Sequence, residues 1–332
     1  MSSEHEHMQR TLKVCLLSAE WNTMNRSRIF VSDRKREQKE QRDMAQKPRT
    51  FKFEGVTMTH YFTDNWEKVK NFKAKPDDVV IATYPKAGTT WMSEIVDQLF
   101  FGEIRRESSS PSIFDRVPFL EFCEDFQTGT DQIESLLTSP RLIKTHLPVQ
   151  LVPQSFWEQN CRMIYVARNP KDIMVSYYHF DRMNKIQPDP GAWEEYIDKF
   201  NTGQLVFGSW YDHVQGWWEK SRSYSRICYV FFEDMREDPA REISRLCSFL
   251  GLSPNETQKK EVLRKTGFEE MKKSMADALS NNDEFDESVS PFMRKGIVGD
   301  WKNHFTVAQN EAFNEEYRKK MKESDLKFKM EI

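Results

Sequence analysis

Glycine and cysteine are scarce in this 332-residue chain, at 12 and five residues. No apolar run approaches the ~18 residues that cross a bilayer as a helix. The cysteines (Cys15, Cys123, Cys161, Cys228 and Cys247) are scattered and odd in number. None forms a C-x-x-C pair or a Cys/His pairing, which argues against a zinc site and for reduced thiols. An excess of one charge is also missing. With 49 Lys/Arg against 52 Asp/Glu the net charge is −3, so there is no global basic footprint for nucleic acid. The apolar stretch Val14-Cys15-Leu16-Leu17 is short, follows acidic residues and makes a poor signal peptide. These absences lead to an expectation of a cytoplasmic enzyme with no membrane or nucleic-acid partner.

What is present is a globular composition: 38% hydrophobic, 30% charged and 13% aromatic, enough for a sizeable core without disulfide or metal staples. Residues 1–50 differ from the rest, carrying 11 Lys/Arg against 7 Asp/Glu. They read as a polar, flexible N-terminal extension, and 51–332 as the folded domain. Runs rich in β-branched residues predict strands at Val79–Tyr84, Arg141–Thr145, Met163–Ala167 and Ile227–Phe232. Helical periodicity follows in Trp91, Ile95, Val96, Leu99 and Phe100, in Ile173–Phe180 and in Ala240–Leu250. Ser155–Glu158 and Thr306–Gln309 have capping-box spacing. Buried strands alternating with helices predict an α/β fold, a single domain with a mostly parallel central sheet flanked by helices. Ligands bind such sheets beyond the carboxyl ends of the strands.

Four segments sit where that rule places chemistry. In Tyr84-Pro-Lys-Ala-Gly-Thr-Thr-Trp91 a strand ends, Gly88 permits close backbone approach, and a helix opens near Thr89. Its free N–H groups, the Thr89 and Thr90 hydroxyls and the Lys86 charge can cradle a phosphate. The lysine precedes the glycine, so G-x-x-x-x-G-K-[ST] is not met. In Arg162–Ser176 a second strand delivers Arg168, suited to bidentate phosphate recognition, and Pro170 fits a first helical turn. Arg141–Pro148 ends a third strand with Lys144 and His146, two apart and so on one side. There a histidine can take a hydroxyl proton while an ammonium stabilises developing charge. The other six histidines (His5, His7, His60, His179, His213 and His304) read as structural. Ser290–Gly296 brings Arg294, Lys295 and a glycine into a turn that can form a second anion site. Each segment alone also admits a plain structural reading: a βα turn, a salt bridge, a core histidine, a solvated basic turn.

Together, in this order, the four segments resemble those of the cytosolic sulfotransferase family over residues 51–332, closest to its phenol (aryl) branch. The resemblance implies a P-loop-kinase-like sulfotransferase fold and sulfuryl transfer from 3′-phosphoadenosine 5′-phosphosulfate (PAPS) to a hydroxyl or amine of a small, phenolic acceptor, with no metal. It implies His146 as general base, with Lys86 and Lys144 stabilising transition-state charge and Ser176 restraining Lys86 until acceptor binds. Lys86, Ala87, Gly88, Thr89 and Thr90 would hold the 5′-phosphosulfate. Arg168, Ser176, Arg294, Lys295 and Gly296 would hold the 3′-phosphate, with Phe292 and Met293 leading into that loop. Adenine would lie among Trp91, Phe232, Thr266, Phe268 and Met271. Phe62, Phe114, Phe119, Phe122 and Phe180, beside Lys144 and His146, would form the acceptor pocket. Lys302–Glu311 matches the family's K-x-x-x-T-V-x-x-x-E segment and implies a homodimer.

Three departures qualify this pattern. Phe232 stands where the family usually has tyrosine, so donor binding is expected to be weakened but kept. Gly267 and Glu269 depart from a Thr-Ser-Phe-Lys stretch. Acidic residues between Met275 and Ser288 replace the family's usual loop over the site. Two other function classes stay open from the residues alone. One is a P-loop small-molecule kinase using Mg-ATP, against which the misplaced lysine counts. The other is a nucleotide-binding protein without catalysis, against which His146 and Lys144 beside the phosphate loop count.

Overall fold

Four of the buried, β-branched runs pair as a parallel sheet in a computed structural model that describes residues 47–102, 112–124, 127–280 and 282–332. The N-terminal extension thus lies almost wholly outside the described residues. Arg49–Ile332 forms one folded unit. Along that unit run β1 (Phe51–Phe53), β2 (Val56–Met58), β3 (Val79–Thr83), β4 (Cys123–Glu124), β5 (Gln127–Thr128), β6 (Leu142–Thr145), β7 (Arg162–Ala167) and β8 (Ile227–Phe231). The central sheet has the order β6-β3-β7-β8, with every neighbour parallel. β1 with β2 and β4 with β5 are small antiparallel ribbons. Strand ends differ from the sequence expectation by a residue. Tyr84, Arg141 and Phe232 fall outside, whereas Arg162 joins β7.

Both faces of the sheet are covered, as a parallel sheet requires. Val80, Ala82, Met163 and Tyr165 face a layer containing Trp210 and Trp217. Val79, Ile81, Ile164 and Val166 face Ile95, Ile243 and Leu246. Those partners lie on α1 (Thr89–Phe101), α3 (Trp210–Ser223) and α4 (Pro239–Leu250). α2 (Pro170–Met183) follows β7, and α5 (Glu256–Lys265), α6 (Phe268–Leu279) and α7 (Val307–Lys320) complete the longer helices used below.

The helix starts are fixed locally. Asn169 caps α2 by accepting from Asp172 N at 2.9 Å, with Pro170 in the first turn. Thr306 and Gln309 form a reciprocal capping box on α7. The box expected at Ser155–Glu158 does not form. That helix begins at Gln154 after Pro153, and the Ser155 hydroxyl instead donates to Phe72 O at 2.5 Å and accepts from Ala74 N. The tertiary contact outcompetes the local one. At the bottom of the sheet Arg141 makes a buried, two-armed ion pair with Asp78 at 2.8 and 2.6 Å, tying the starts of β6 and β3 together.

Candidate active site

The carboxyl ends of β3, β6 and β7 open into one cavity of about 600 Å³. The chain turns sharply out of β3: Lys86 has φ +68° and Gly88 φ +108°. At Gly88 a Cβ would sit 3.0 Å from the Phe232 ring, so only glycine lets that ring close on the turn. Ala87 is fully buried behind it, whereas Thr89 and Thr90 line the cavity at the start of α1.

The cations converge from three elements. Arg168, at the end of β7, is 6% exposed. It donates to Lys86 O at 3.1 Å and Ile297 O at 3.0 Å, and its guanidinium stacks 4.3 Å from the Phe232 ring. Arg294 and Lys295 are held by one carboxylate, Asp300, at 2.5 and 2.6 Å. Burial opposes ionisation of Asp300, but hydrogen bonds from Lys295, Asn303 and Arg294 hold it below the usual carboxylate range. Asp172, on α2, accepts from Gly299 N at 2.7 Å and Trp301 N at 3.0 Å and so anchors the same loop. Arg168 Nε and Arg294 Nε are both buried without a partner. Unpaired guanidinium N–H groups at the edge of a cavity suit phosphate oxygens.

On one flank of the cations, Trp91 donates to Thr266 O at 2.9 Å and meets Phe232 edge-on at 5.4 Å. Phe268 and Met271 on α6 also line this side. Gly296, at φ +63°, lies against Phe268 so closely that a Cβ would be 2.5 Å from the ring. Gly267 caps α6 without a side chain to offer, and Glu269 and Glu270 supply negative charge to its first turn.

The other flank is aromatic. Phe62, Phe119, Phe122 and Phe207 interleave at ring distances of 4.7–6.4 Å. Phe180 and Phe292 flank Lys86, whose ammonium lies 3.9 and 4.8 Å from their centroids. Phe114 lies 4.7 Å from the Lys144 ammonium. Burial pushes Lys86 down to about 7, with Asp181 opposing and Arg168 and Arg294 assisting. It pushes Lys144 down to about 8. Ser176 and Met293 line the cavity. Among the described residues no hydrogen bond joins Ser176 to Lys86.

His146 stands where the two flanks meet, edge-on to Phe119 at 4.9 Å and Phe207 at 5.3 Å. Its Nδ1 lies 2.8 Å from Thr83 O. A carbonyl only accepts, so Nδ1 carries the proton and Nε2 keeps its lone pair. Burial holds the imidazole neutral, pushing it down to about 3, with the Thr83 carbonyl opposing and His213, Lys144 and Lys86 assisting. The backbone of His146 is clamped as well. Its N–H donates to the buried Glu121 at 2.6 Å, and His213 Nε2 donates to its carbonyl at 3.0 Å. Burial pushes Glu121 up to about 8 against the hydrogen bonds it accepts from the His146 N–H and the Thr145 hydroxyl.

Sequence reasoning gave no notice of Phe207, Glu121 or Thr83, and placed His213 only as structural. Phe207 holds φ +67°, a conformation rare for a phenylalanine and invisible in composition. At the rim, Glu284 immediately precedes Phe285, which forms a short bridge with Asn184. Burial and the Glu124 carboxyl push it up to about 7. The acidic stretch thus does line the cavity, though Asp283, Asp286 and Glu287 are exposed.

The family model for the sulfotransferase domain matches residues 76–325, a span that contains this whole cation-lined cavity apart from Phe62. Curated relatives agree. "Cytosolic sulfotransferase 1" of Danio rerio is 56% identical, covering 87% of this chain and 97% of its own. Human "Sulfotransferase 1C2" is 46% identical over 87% and 98%. A mouse sulfotransferase structure complexed with PAP superposes with a TM-score of 0.68 at 28% identity, covering 83% of this chain and 95% of that one. The chain belongs to the sulfotransferase family. Within it, the chain is a PAPS-dependent sulfotransferase.

Proposed function

We propose that this enzyme moves the sulfuryl group of PAPS to the hydroxyl of a small phenol, with His146 as general base. The observation that carries the reading is the fixed, neutral tautomer of His146 between Lys144, Lys86 and an aromatic wall. A flat apolar slot presents a planar hydroxyl to Nε2, and the base takes its proton as the oxygen attacks. Lys86 and Lys144 then stabilise charge on the bridging and sulfuryl oxygens. Thr89 and Thr90, with Gly88 and the N–H groups opening α1, hold the 5′-phosphate. Arg168, Ser176, Arg294, Lys295 and the Gly296 turn hold the 3′-phosphate, and the unpaired Nε atoms of both arginines support that assignment. Trp91, Phe232, Thr266, Phe268 and Met271 enclose adenine. Arylamines are served by the same base. The enzyme works in the cytosol, as the name of its Danio relative states for that protein, in phenol and xenobiotic conjugation. It pairs as a homodimer through Lys302–Glu311, with 1–50 as a polar extension of the 51–332 domain.

The test joins binding to turnover. Adenosine 3′,5′-bisphosphate at a hundredfold excess over Kd should raise unfolding free energy by about 2.7 kcal/mol, equally in wild type and His146→Ala. Turnover of simple phenols should fall by about 10²–10⁴-fold in the variant. Full turnover in His146→Ala would remove the base assignment. The absence of any shift with the bisphosphate would remove the donor site.

A further inference from the structure

Residues 118–122 run beside the end of β6 as a short parallel partner. Lys144 N–H donates to Pro118 O at 3.0 Å, and Leu120 N–H to Lys144 O at 2.9 Å. A continued parallel ladder would next join the His146 N–H to the Leu120 carbonyl. The chain turns instead, with Phe122 N–H donating to Phe119 O at 3.2 Å, and a side chain takes that carbonyl's place. The fully buried Glu121 accepts from the His146 N–H at 2.6 Å and from the Thr145 hydroxyl at 2.9 Å.

The same five residues carry part of the proposed acceptor wall. Phe119 and Phe122, on either side of Leu120 and Glu121, both line the cavity, and Phe119 stands edge-on to the imidazole. The segment is held in turn by Gly129, whose N–H donates to Phe122 O at 2.8 Å. A Cβ at Gly129 would sit 1.7 Å from Phe119 O, so only glycine allows this approach. With the wall seated there, the reach of one side chain, Glu121, sets where the base stands against it. A buried N–H left unpaired is costly, which keeps the contact closed.

We propose that Glu121 is a positioning residue: its side chain spans from the acceptor wall to the backbone of His146 and sets the register of the base against a bound phenol. This rests on the roles given above to His146 and to the phenylalanine wall. What Glu121 supplies is reach and hydrogen bonding, not charge. Glutamine has the same length, and its amide can accept from the His146 N–H through oxygen and donate to the Thr145 hydroxyl through nitrogen. Aspartate keeps the charge but is one C–C bond, ~1.5 Å, shorter. It cannot span both contacts without drawing the His146 turn toward it. A misplacement of about 1 Å between reacting groups can cost on the order of 10²-fold in rate.

The experiment measures kcat with phenol at saturating PAPS, and the Kd of adenosine 3′,5′-bisphosphate by calorimetry, on full-length wild type, Glu121→Gln and Glu121→Asp. Glu121→Gln should stay within about threefold of the wild-type kcat, whereas Glu121→Asp should fall about tenfold to a hundredfold. Kd should stay within about twofold in both, since the residues proposed to hold the phosphates lie on other segments. An aspartate variant as fast as the glutamine one, or faster, would overturn the proposal by taking reach out of the account. A Kd that worsens in step with kcat would overturn it too, because the site as a whole would then be disrupted. Should the aspartate variant not fold, Thr145→Val decides, since it removes one of the two donors to Glu121. A kcat about three- to tenfold lower at unchanged Kd supports the clamp, and an unchanged kcat overturns it. Failure of the underlying reading looks different: the bisphosphate would not bind, or His146→Ala would retain turnover.

Discussion

Individual residues here work because burial has moved them away from their behaviour in water. Lys86 is the clearest case: enclosed with Arg168 and Arg294, it is pushed down to about 7. A bound phosphosulfate or bisphosphate supplies the opposite charge and favours the ammonium. Above pH 7 the free enzyme has therefore lost a proton that the complex regains, so binding takes up a proton and affinity falls as pH rises. Calorimetry of bisphosphate binding at pH 8 in buffers of different ionisation enthalpy should show uptake approaching one proton, and Lys86→Arg should show far less. Equal uptake in both proteins would mean that another group titrates. His146 shows the converse use of burial, which keeps it neutral and ready to accept.

Among elements, the loop from Ser290 to Trp301 depends most on its neighbours. Asp172 holds two of its backbone N–H groups and Asp300 two of its cations, so two carboxylates fix the loop proposed to hold the 3′-phosphate. Gly296 seats the loop on Phe268. Gly296→Ala would place a methyl 2.5 Å from that ring at φ +63°, a conformation costing a β-carbon residue roughly 1–2 kcal/mol before any clash. Bisphosphate affinity should drop about tenfold or more by titration calorimetry, and the melting temperature of the free protein should fall by about a few degrees from the same strain. An alanine variant with wild-type affinity would show that the loop can shift without disturbing the phosphate contacts.

For the whole molecule, the remaining question is self-association. Val307, in the segment that resembles a dimer motif, is 75% exposed on the described unit, next to the capping box that starts α7. Covering that side chain would remove apolar surface from water. Sedimentation equilibrium should give a dimer for wild type and a monomer for Val307→Glu, with little change in turnover. A dimer in both would place the contact elsewhere.

Reading the chain alone reached far at some positions and stopped short at others. The parallel sheet was legible because its strands, covered on both faces, are continuous apolar runs, and the helix starts at Pro170 and Thr306 because proline's fixed φ and capping are local chemistry. The residues Lys86, Lys144, His146, Arg168 and Arg294 could be singled out because each sits at a strand end or turn marked by glycine or proline. Local signals failed where a distant partner competed: Ser155 bonds to Phe72 rather than capping its helix. They were silent on Phe207, Glu121 and Thr83, whose importance lies in what the folded chain sets beside them. What the sequence determined by itself was the class of fold, the family and the types of side chain available to the chemistry, since hydrophobic period and short motifs are properties of neighbours along the chain. Only the tertiary structure decided the protonation of Lys86, the tautomer of His146 and the clamping of the phosphate loop, because desolvation and hydrogen-bond geometry depend on residues tens to hundreds of positions apart.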